Sequence, residues 1–285
     1  MSGSGGPPLG GRDGSVDVDA VELDLLLEAI HRRYGHDFRS YARASLLRRL
    51  SQALARLGCA NLSELQGRVL REPALFARLL PMLTVQVSTL FRDPAYFIAL
   101  RTQVLPVLAT YPSLKVWVAG CSTGEEAYSL AILLHEEGLL DRTIVYATDI
   151  NMESLAFAER GVFPIDRIPD FSADYRRAGG RRSLSDYYTA AYEGAVFDKR
   201  LRRRIVFTDH SLAIDNVFAE THLVSCRNVL IYFDRPLQDR ALGLFTESLV
   251  RRGFLGLGPS ESLRHTAYAD AYEVVARAER IYRKR

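Results

Sequence analysis

Cysteine is scarce in this chain and tryptophan almost missing: Cys59, Cys121 and Cys226 are the three thiols among 285 residues, and Trp117 is the one indole. An odd number of widely spaced cysteines fits neither a disulfide framework nor a Cys/His metal site, so reduced thiols and no metal are expected. No run approaches the roughly 18 consecutive apolar residues of a membrane span, and the first residues lack the apolar core of a signal peptide. These absences point to a cytoplasmic protein without membrane insertion. Charge of one sign is not in excess either, because 37 Lys and Arg against 34 Asp and Glu leave a net charge of +3, too little to call for a nucleic-acid partner. What is present is apolar material: 48% hydrophobic residues support a substantial core in one large or two modest domains.

Residues 1–17 are rich in Gly, Ser and Pro and read as a disordered tail, because they bury too little apolar surface to offset ordering. Residues 18–84 read as a small helical N-terminal domain. Asp19 with Glu22 resembles a capping box, and Leu23, Leu26, Leu27 and Ile30 then share a helical face. A second helix spans about Tyr41 to Leu57 and is stopped by Gly58; two shorter ones follow near Leu62–Leu70 and Pro73–Leu83. Residues 85–110 form a linker and a helix opened by Pro94. From 111 to 285, short apolar runs alternate with helical patterns, which predicts a mainly parallel sheet covered on both faces. That rhythm breaks at about 162–204, where Tyr187 to Phe197 reads as two short strands around a glycine-bearing turn, an antiparallel insertion.

The most informative stretch is Val116-Trp117-Val118-Ala119-Gly120-Cys121-Ser122-Thr123-Gly124-Glu125-Glu126, followed by a second apolar run ending at Thr148-Asp149. A β-prone run that breaks at glycine and opens a helix, with an acid ending the next strand, suits a nucleoside cofactor whose ribose hydroxyls the acid can bind. Gly120 and Gly124 do not have the GxGxxG spacing of a pyrophosphate cradle. Carboxylates at Glu125, Glu126 and Asp149 would repel a diphosphate and suit a cationic ligand such as S-adenosylmethionine. Taken alone, the loop is equally compatible with an ordinary strand-to-helix turn, since helix first turns favour glutamate.

Three ordered motifs narrow the choice. Ala119 to Glu126 with Tyr128-Ser129, Cys226-Arg227-Asn228-Val229-Leu230-Ile231-Tyr232-Phe233, and Phe91-Arg92-Asp93 resemble the motifs of the CheR family of chemoreceptor glutamate methyltransferases. The resemblance covers nearly the whole chain. It implies a Rossmann-like S-adenosylmethionine-dependent methyltransferase sheet with a small all-helical N-terminal domain and an inserted antiparallel β subdomain. It also implies methyl transfer to receptor glutamates, with S-adenosylhomocysteine as product. Carried over by position, the cofactor-binding residues are Gln86, Ser88, Arg92, Gly120, Glu126, Asp149, Ser211, Leu212, Arg227 and Asn228; Arg92 and Tyr232 stand nearest the transferred methyl. Arg227 is expected on the cofactor carboxylate, with a structural ion pair as the alternative. The chain departs from the family pattern at Gln86, Ser88, Leu90 and Pro259, where Asn, Thr, an aromatic residue and His are frequent.

An ionised glutamate, with an unperturbed pKa of about 4.3, needs no general base to attack a sulfonium methyl, so no catalytic dyad is expected. Arginine can hold a carboxylate by paired hydrogen bonds and tyrosine can add a donor, which suits Arg92 and Tyr232. Arg43, Arg48, Arg49 and Arg56 load the second helix opposite its leucines, and the resemblance makes this a docking face for the acidic helical bundle of a cytoplasmic chemoreceptor domain. The β insertion is an expected edge for a receptor tail peptide. Two alternatives stay open: a methyltransferase of RNA or a small molecule on the same fold, and a noncatalytic S-adenosylmethionine-sensing module.

Overall fold

The computed structural model describes residues 17–86, 88–192 and 194–285. Apart from Asp17, the expected disordered tail therefore lies outside the described residues. Four helices come first: α1 (Val18–Tyr34), α2 (Arg43–Leu57), α3 (Leu62–Arg71) and α4 (Pro73–Leu83). They enclose their own apolar cluster of Leu23, Leu26, Ile30, Leu46, Leu50, Leu65, Leu79 and neighbours. The cap of α1 is Asp17, whose carboxylate accepts from Ala20 N, and not Asp19 as the capping-box pattern suggested. Gly58 ends α2 in the left-handed conformation, with φ of 65°, as its position predicts. The second helix begins at Arg43 rather than Tyr41, because Tyr41 instead forms an isolated bridge with Phe233.

Next come α5 (Pro94–Ala99) and α6 (Leu105–Leu108), joined by a π-helical turn at Leu100–Val104, then β1 (Leu114–Ala119), α7 (Glu125–Glu136), β2 (Thr143–Asp149) and α8 (Met152–Arg160). The insertion holds β3 (Val162–Pro164), α9 (Ile168–Arg177), β4 (Tyr188–Ala191) and β5 (Gly194–Phe197). After α10 (Lys199–Arg202), the chain resumes with β6 (Ile205–Asp209), β7 (Thr221–Cys226), α11 (Arg235–Ser248), β8 (Leu249–Leu257), β9 (Tyr272–Ala276) and β10 (Ile281–Lys284). The main sheet runs in the order β6-β2-β1-β7-β8-β10-β9. Its first five strands are mutually parallel, and β10 and β9 are antiparallel additions. This is a Rossmann-like α/β arrangement with an all-helical N-terminal part and an antiparallel β insertion, as the sequence leads one to expect.

Alternation along β1 shows why the sheet is buried on both faces. Val116 and Val118 join the cluster beneath α5 to α7, while Trp117 and Ala119 join the one beneath α11. The inserted sheet has three strands in the order β3-β5-β4, one more than the hairpin expected. Three residues, Val162-Phe163-Pro164, are too few for a periodic signal, which is why β3 was not legible. The helix α9 and the strand β9 were likewise not anticipated.

Candidate functional site

A cleft of about 930 Å³, mouth included, opens beyond the carboxyl ends of β1, β2 and β7, where open α/β sheets bind ligands. Gly120, Cys121 and Ser122 from the loop after β1 line it, as do Asp149 and Ile150 after β2 and Arg227 to Val229 after β7. Tyr41, Arg49 and Thr84 reach it from the helical layer, and Gln86, Ser88 and Arg92 from the linker. Glu126, Leu212, Asn228 and Tyr232 complete the match between lining and expectation. Ser211 is the exception. Its amide donates to Asp215 Oδ2 at 2.7 Å and its hydroxyl accepts from Ala213 N, so it serves its own turn while His210 lines the cleft instead.

The β1 loop is built without a phosphate cradle. The amides of Gly120 and Cys121 both donate to Thr148 O at 2.8 Å, Ser122 N donates to Asp149 Oδ2 at 2.8 Å, and Gly124 N donates to Cys121 O at 2.9 Å. Four of the amides that a diphosphate would need are thus committed within the protein. Asp149, in turn, also accepts from Asn151 N at 2.9 Å. Burial raises its carboxyl above the ordinary aspartate range, and the backbone donors Asn151, Ser122 and Ile150 pull it back. Each carboxylate oxygen keeps acceptor capacity for a ribose hydroxyl.

Glycine is required where the cofactor loop meets the β7 loop. Gly120 has φ of +75°, and a Cβ there would lie 2.4 Å from Val229 Cγ2. Gly120→Ala should therefore weaken S-adenosylhomocysteine binding at least about tenfold, through a left-handed-backbone cost of roughly 1–2 kcal/mol plus the displaced loop. Calorimetry would check it, and adding Val229→Ala should restore part of the affinity.

Backbone strain gathers around the cleft. Phe91, Asp93, Ser122 and Asn228 are non-glycine residues with φ of 52°, 55°, 50° and 60°. Phe91 is held by its amide, which donates to Ser129 Oγ at 2.8 Å, and by edge contacts of its buried ring with Phe97 and Tyr175. Asp93 is held by Arg227, whose Nη2 donates to Asp93 Oδ2 at 2.7 Å. Arg92, between two anchored left-handed residues, is thereby delivered to the cleft. Such strained positions persist only where surrounding contacts over-determine them.

Arg227, expected on the cofactor carboxylate with a structural ion pair as the alternative, lines the cleft and makes ion pairs within the protein. Its side chain is 1% exposed and pairs with Asp93 and with Glu126, at 2.7 and 2.9 Å. A further bond goes to Arg92 O, and its guanidinium lies 4.2 Å over the Tyr96 ring. Arg227 thus binds the linker to α7 while it lines the cleft. Glu126 also accepts from Ser225 Oγ at 2.6 Å. Glu125, expected to favour a cationic ligand, is instead fully buried against Arg167 at 2.7 Å.

The docking residues divide. Arg43, Arg48 and Arg56 are exposed on α2, with Arg43 paired to Asp24 at 2.7 Å. Arg49 is not on that face. It is buried, bonds to Leu83 O and Ser45 Oγ, and lies 4.8 Å over the Tyr232 ring, because it flanks the apolar stripe of Leu46, Leu50 and Ala53 and meets the junction with the sheet. That junction is stitched by main chain: Ala42 N donates to Tyr232 O at 2.8 Å and Asp234 N to Ser40 O at 2.9 Å. Among the described residues no group of three or more His, Cys, Asp and Glu suits a metal, and no helix is long and apolar enough to cross a membrane.

Sequence reasoning also missed Glu261. Its buried carboxylate accepts from the amides of Gly258, Asn228 and Val229 at 2.6, 3.0 and 2.8 Å. The motif Gly258-Pro259-Ser260-Glu261 was visible, but nothing local announces partners that lie some thirty residues away in sequence.

The residues fit S-adenosylmethionine by their own chemistry. Carboxylates face a cationic, hydroxyl-bearing molecule, no diphosphate cradle competes, and Asn228 Oδ1 is a buried acceptor with no partner within the described residues. Comparison with known proteins agrees. The CheR methyltransferase SAM-binding domain matches residues 86–278 and the CheR methyltransferase all-alpha domain matches residues 21–84. A Pseudomonas putida protein carrying the name methyltransferase Cher3 is 56% identical, covering 93% of this chain and 97% of its own. Chemotaxis protein methyltransferase 2 of Pseudomonas aeruginosa is 30% identical over 87% of this chain and 88% of its own. A chemotaxis protein methyltransferase of Listeria monocytogenes is 29% identical over 88% and 94%. A strand-loop-acid cleft for S-adenosylmethionine, a strained arginine linker and a helical layer over the site thus come together as one known design: the chain belongs to the CheR methyltransferase family.

Proposed function

We propose that this enzyme methylates glutamate side chains of methyl-accepting chemotaxis receptors, forming glutamate methyl esters in chemosensory adaptation. The observation that carries the reading is the anchoring of Arg92 between Phe91 and Asp93 on the cleft that Asp149, Asn228 and Tyr232 also line. The names of the Listeria and Pseudomonas aeruginosa relatives support the chemotactic setting.

The bound cofactor supplies a methyl on a positively charged sulfur. Asp149 would hold the ribose hydroxyls, and Asn228 Oδ1 would accept from the ammonium of the methionine end. Glu126, neutralised by Arg227, shapes the floor beside it. Arg92 aligns the substrate carboxylate by paired charge-assisted hydrogen bonds, and the Tyr232 hydroxyl donates a further one. A substrate carboxylate held by Arg92 and Tyr232 would already be ionised, so neither residue would need to move a proton for it to accept the methyl. Exclusion of water around the carboxylate is the remaining task, and the helical layer over the cleft performs it.

Arg43, Arg48 and Arg56, exposed on α2, suit an acidic helical bundle. In the insertion, β4 is an outer strand whose Thr189, Ala190 and Ala191 are exposed, which suits addition of a receptor tail as a further strand. Incubation with tritiated S-adenosylmethionine and cell membranes tests the substrate. Base-labile label on receptor-sized bands is the expected result; base-stable label, or label on RNA, would overturn it.

A further inference from the structure

One buried carboxylate beside the cleft has no role in the chemistry just described. Glu261 is 4% exposed and makes no ion pair with a lysine or arginine among the described residues. Its oxygens are instead filled by amides: Oε2 accepts from Gly258 N and Asn228 N, and Oε1 accepts from Val229 N. A turn closes beneath it, with Glu261 N donating to Gly258 O at 2.9 Å. No side chain is tolerated at Gly258, where a Cβ would lie 2.8 Å from both Asn228 N and Glu261 Oε2.

Successive main-chain donors converging on one anion form a nest. Here the anion is the protein's own, and the nest is the segment that carries the reacting end of the cleft. Asn228, the left-handed residue with a buried unpartnered Oδ1, gives Glu261 its amide. Val229 gives the next and presses its side chain against Gly120 of the cofactor loop. The short 3-10 turn Leu230–Tyr232 starts there, closed by Tyr232 N donating to Val229 O at 3.1 Å. Three features therefore depend on where one carboxylate holds two peptide groups: the Asn228 amide, the width of the cofactor loop and the Tyr232 hydroxyl.

We infer that Glu261 is a positioning residue for methyl transfer, which sets Asn228 and Tyr232 against the cofactor loop by occupying the amide nest at the end of β7. Burial raises its carboxyl above the ordinary glutamate range while the four amides from Gly258 and Asn228 to Leu230 oppose that shift. The inference rests on the assignment of Asn228 and Tyr232 to the reacting end.

Glu261→Gln tests it, because the amide keeps the volume but turns a donor toward donors. With the full chain folded by circular dichroism, the expected result is a kcat at least tenfold lower at saturating S-adenosylmethionine. The dissociation constant for S-adenosylhomocysteine should rise severalfold by calorimetry, while the KM for a receptor fragment stays within twofold. Glu261→Asp, one methylene shorter but still anionic, should fall between the two. A folded Gln variant with wild-type kcat and affinity overturns the proposal. If Gln does not fold, Asp decides it on the same readouts; if neither folds, Glu261 is a stability residue and the proposal fails. Wild-type protein that binds S-adenosylhomocysteine but labels no receptor would count against the receptor assignment, leaving the affinity comparison to judge Glu261.

Discussion

Arg92→Ala should lower methyl ester formation by roughly 10²–10³-fold, in line with the loss of a single charge-stabilising contact at a reaction centre, while leaving S-adenosylhomocysteine affinity within about threefold. The separation of the two effects follows from how Arg92 is delivered. Phe91 and Asp93 are pinned by Ser129 and Arg227, neither of which needs the Arg92 side chain to hold the backbone. Removing the guanidinium should keep these two anchors and, on the proposed role, remove the group that orients the incoming carboxylate. Single-turnover transfer of tritiated methyl to a receptor fragment measures the first effect and calorimetry the second. Normal turnover would exclude Arg92 from the reacting end, and a parallel loss of affinity would make it a cofactor ligand only.

Asp149→Ala should act in the opposite sense, weakening cofactor binding at least about tenfold, or about 1.4 kcal/mol. Two losses combine. The ribose acceptor disappears, and the Ser122 and Asn151 amides are left without the carboxylate that orders the loop. The pH dependence has a definite sign. Because burial raises the Asp149 carboxyl, it takes up a proton at higher pH than a free aspartate, of pKa about 3.9. Its contribution to fold stability is present below the unfolded-state pKa and is lost as pH rises through the folded one. Mild acidification should thus weaken cofactor affinity without any destabilisation arising from this group. Calorimetric titration alongside thermal melts across the acidic range separates the two, and unchanged affinity in the Ala variant would remove Asp149 from the ribose.

The order of helices and strands was largely legible, because each depends on local pattern: glycine at the left-handed positions after α2 and β1, proline opening α5, and the continuous apolar run that makes β1 a strand buried on both faces. The three motifs likewise came to one cleft. What could not be read was the partner of each charge. Arg227 meets Asp93 across a separation of 134 residues, and no spacing rule predicts such a pairing. Arg49 follows the same logic. Periodicity gives its angle on α2 but not the Tyr232 ring and the Leu83 carbonyl waiting beyond the apolar stripe. The bonds that Ser211 makes were equally hidden, since its hydroxyl and amide are both used to close a tight local turn.

The helical layer and the reacting segment are joined by Ala42 to Tyr232 and by Asp234 to Ser40, and both bonds run between peptide groups. These two bonds do not depend on the outward side chains of α2, although Arg49 over Tyr232 and Tyr41 against Phe233 add side-chain contacts to the same seam. On the proposed docking role, exchange of the outward arginines of α2 would retune which acidic recipient is chosen while leaving these two bonds to the Tyr232 segment in place. Diversification of recipients and preservation of chemistry would thereby be uncoupled within a single short stretch of chain.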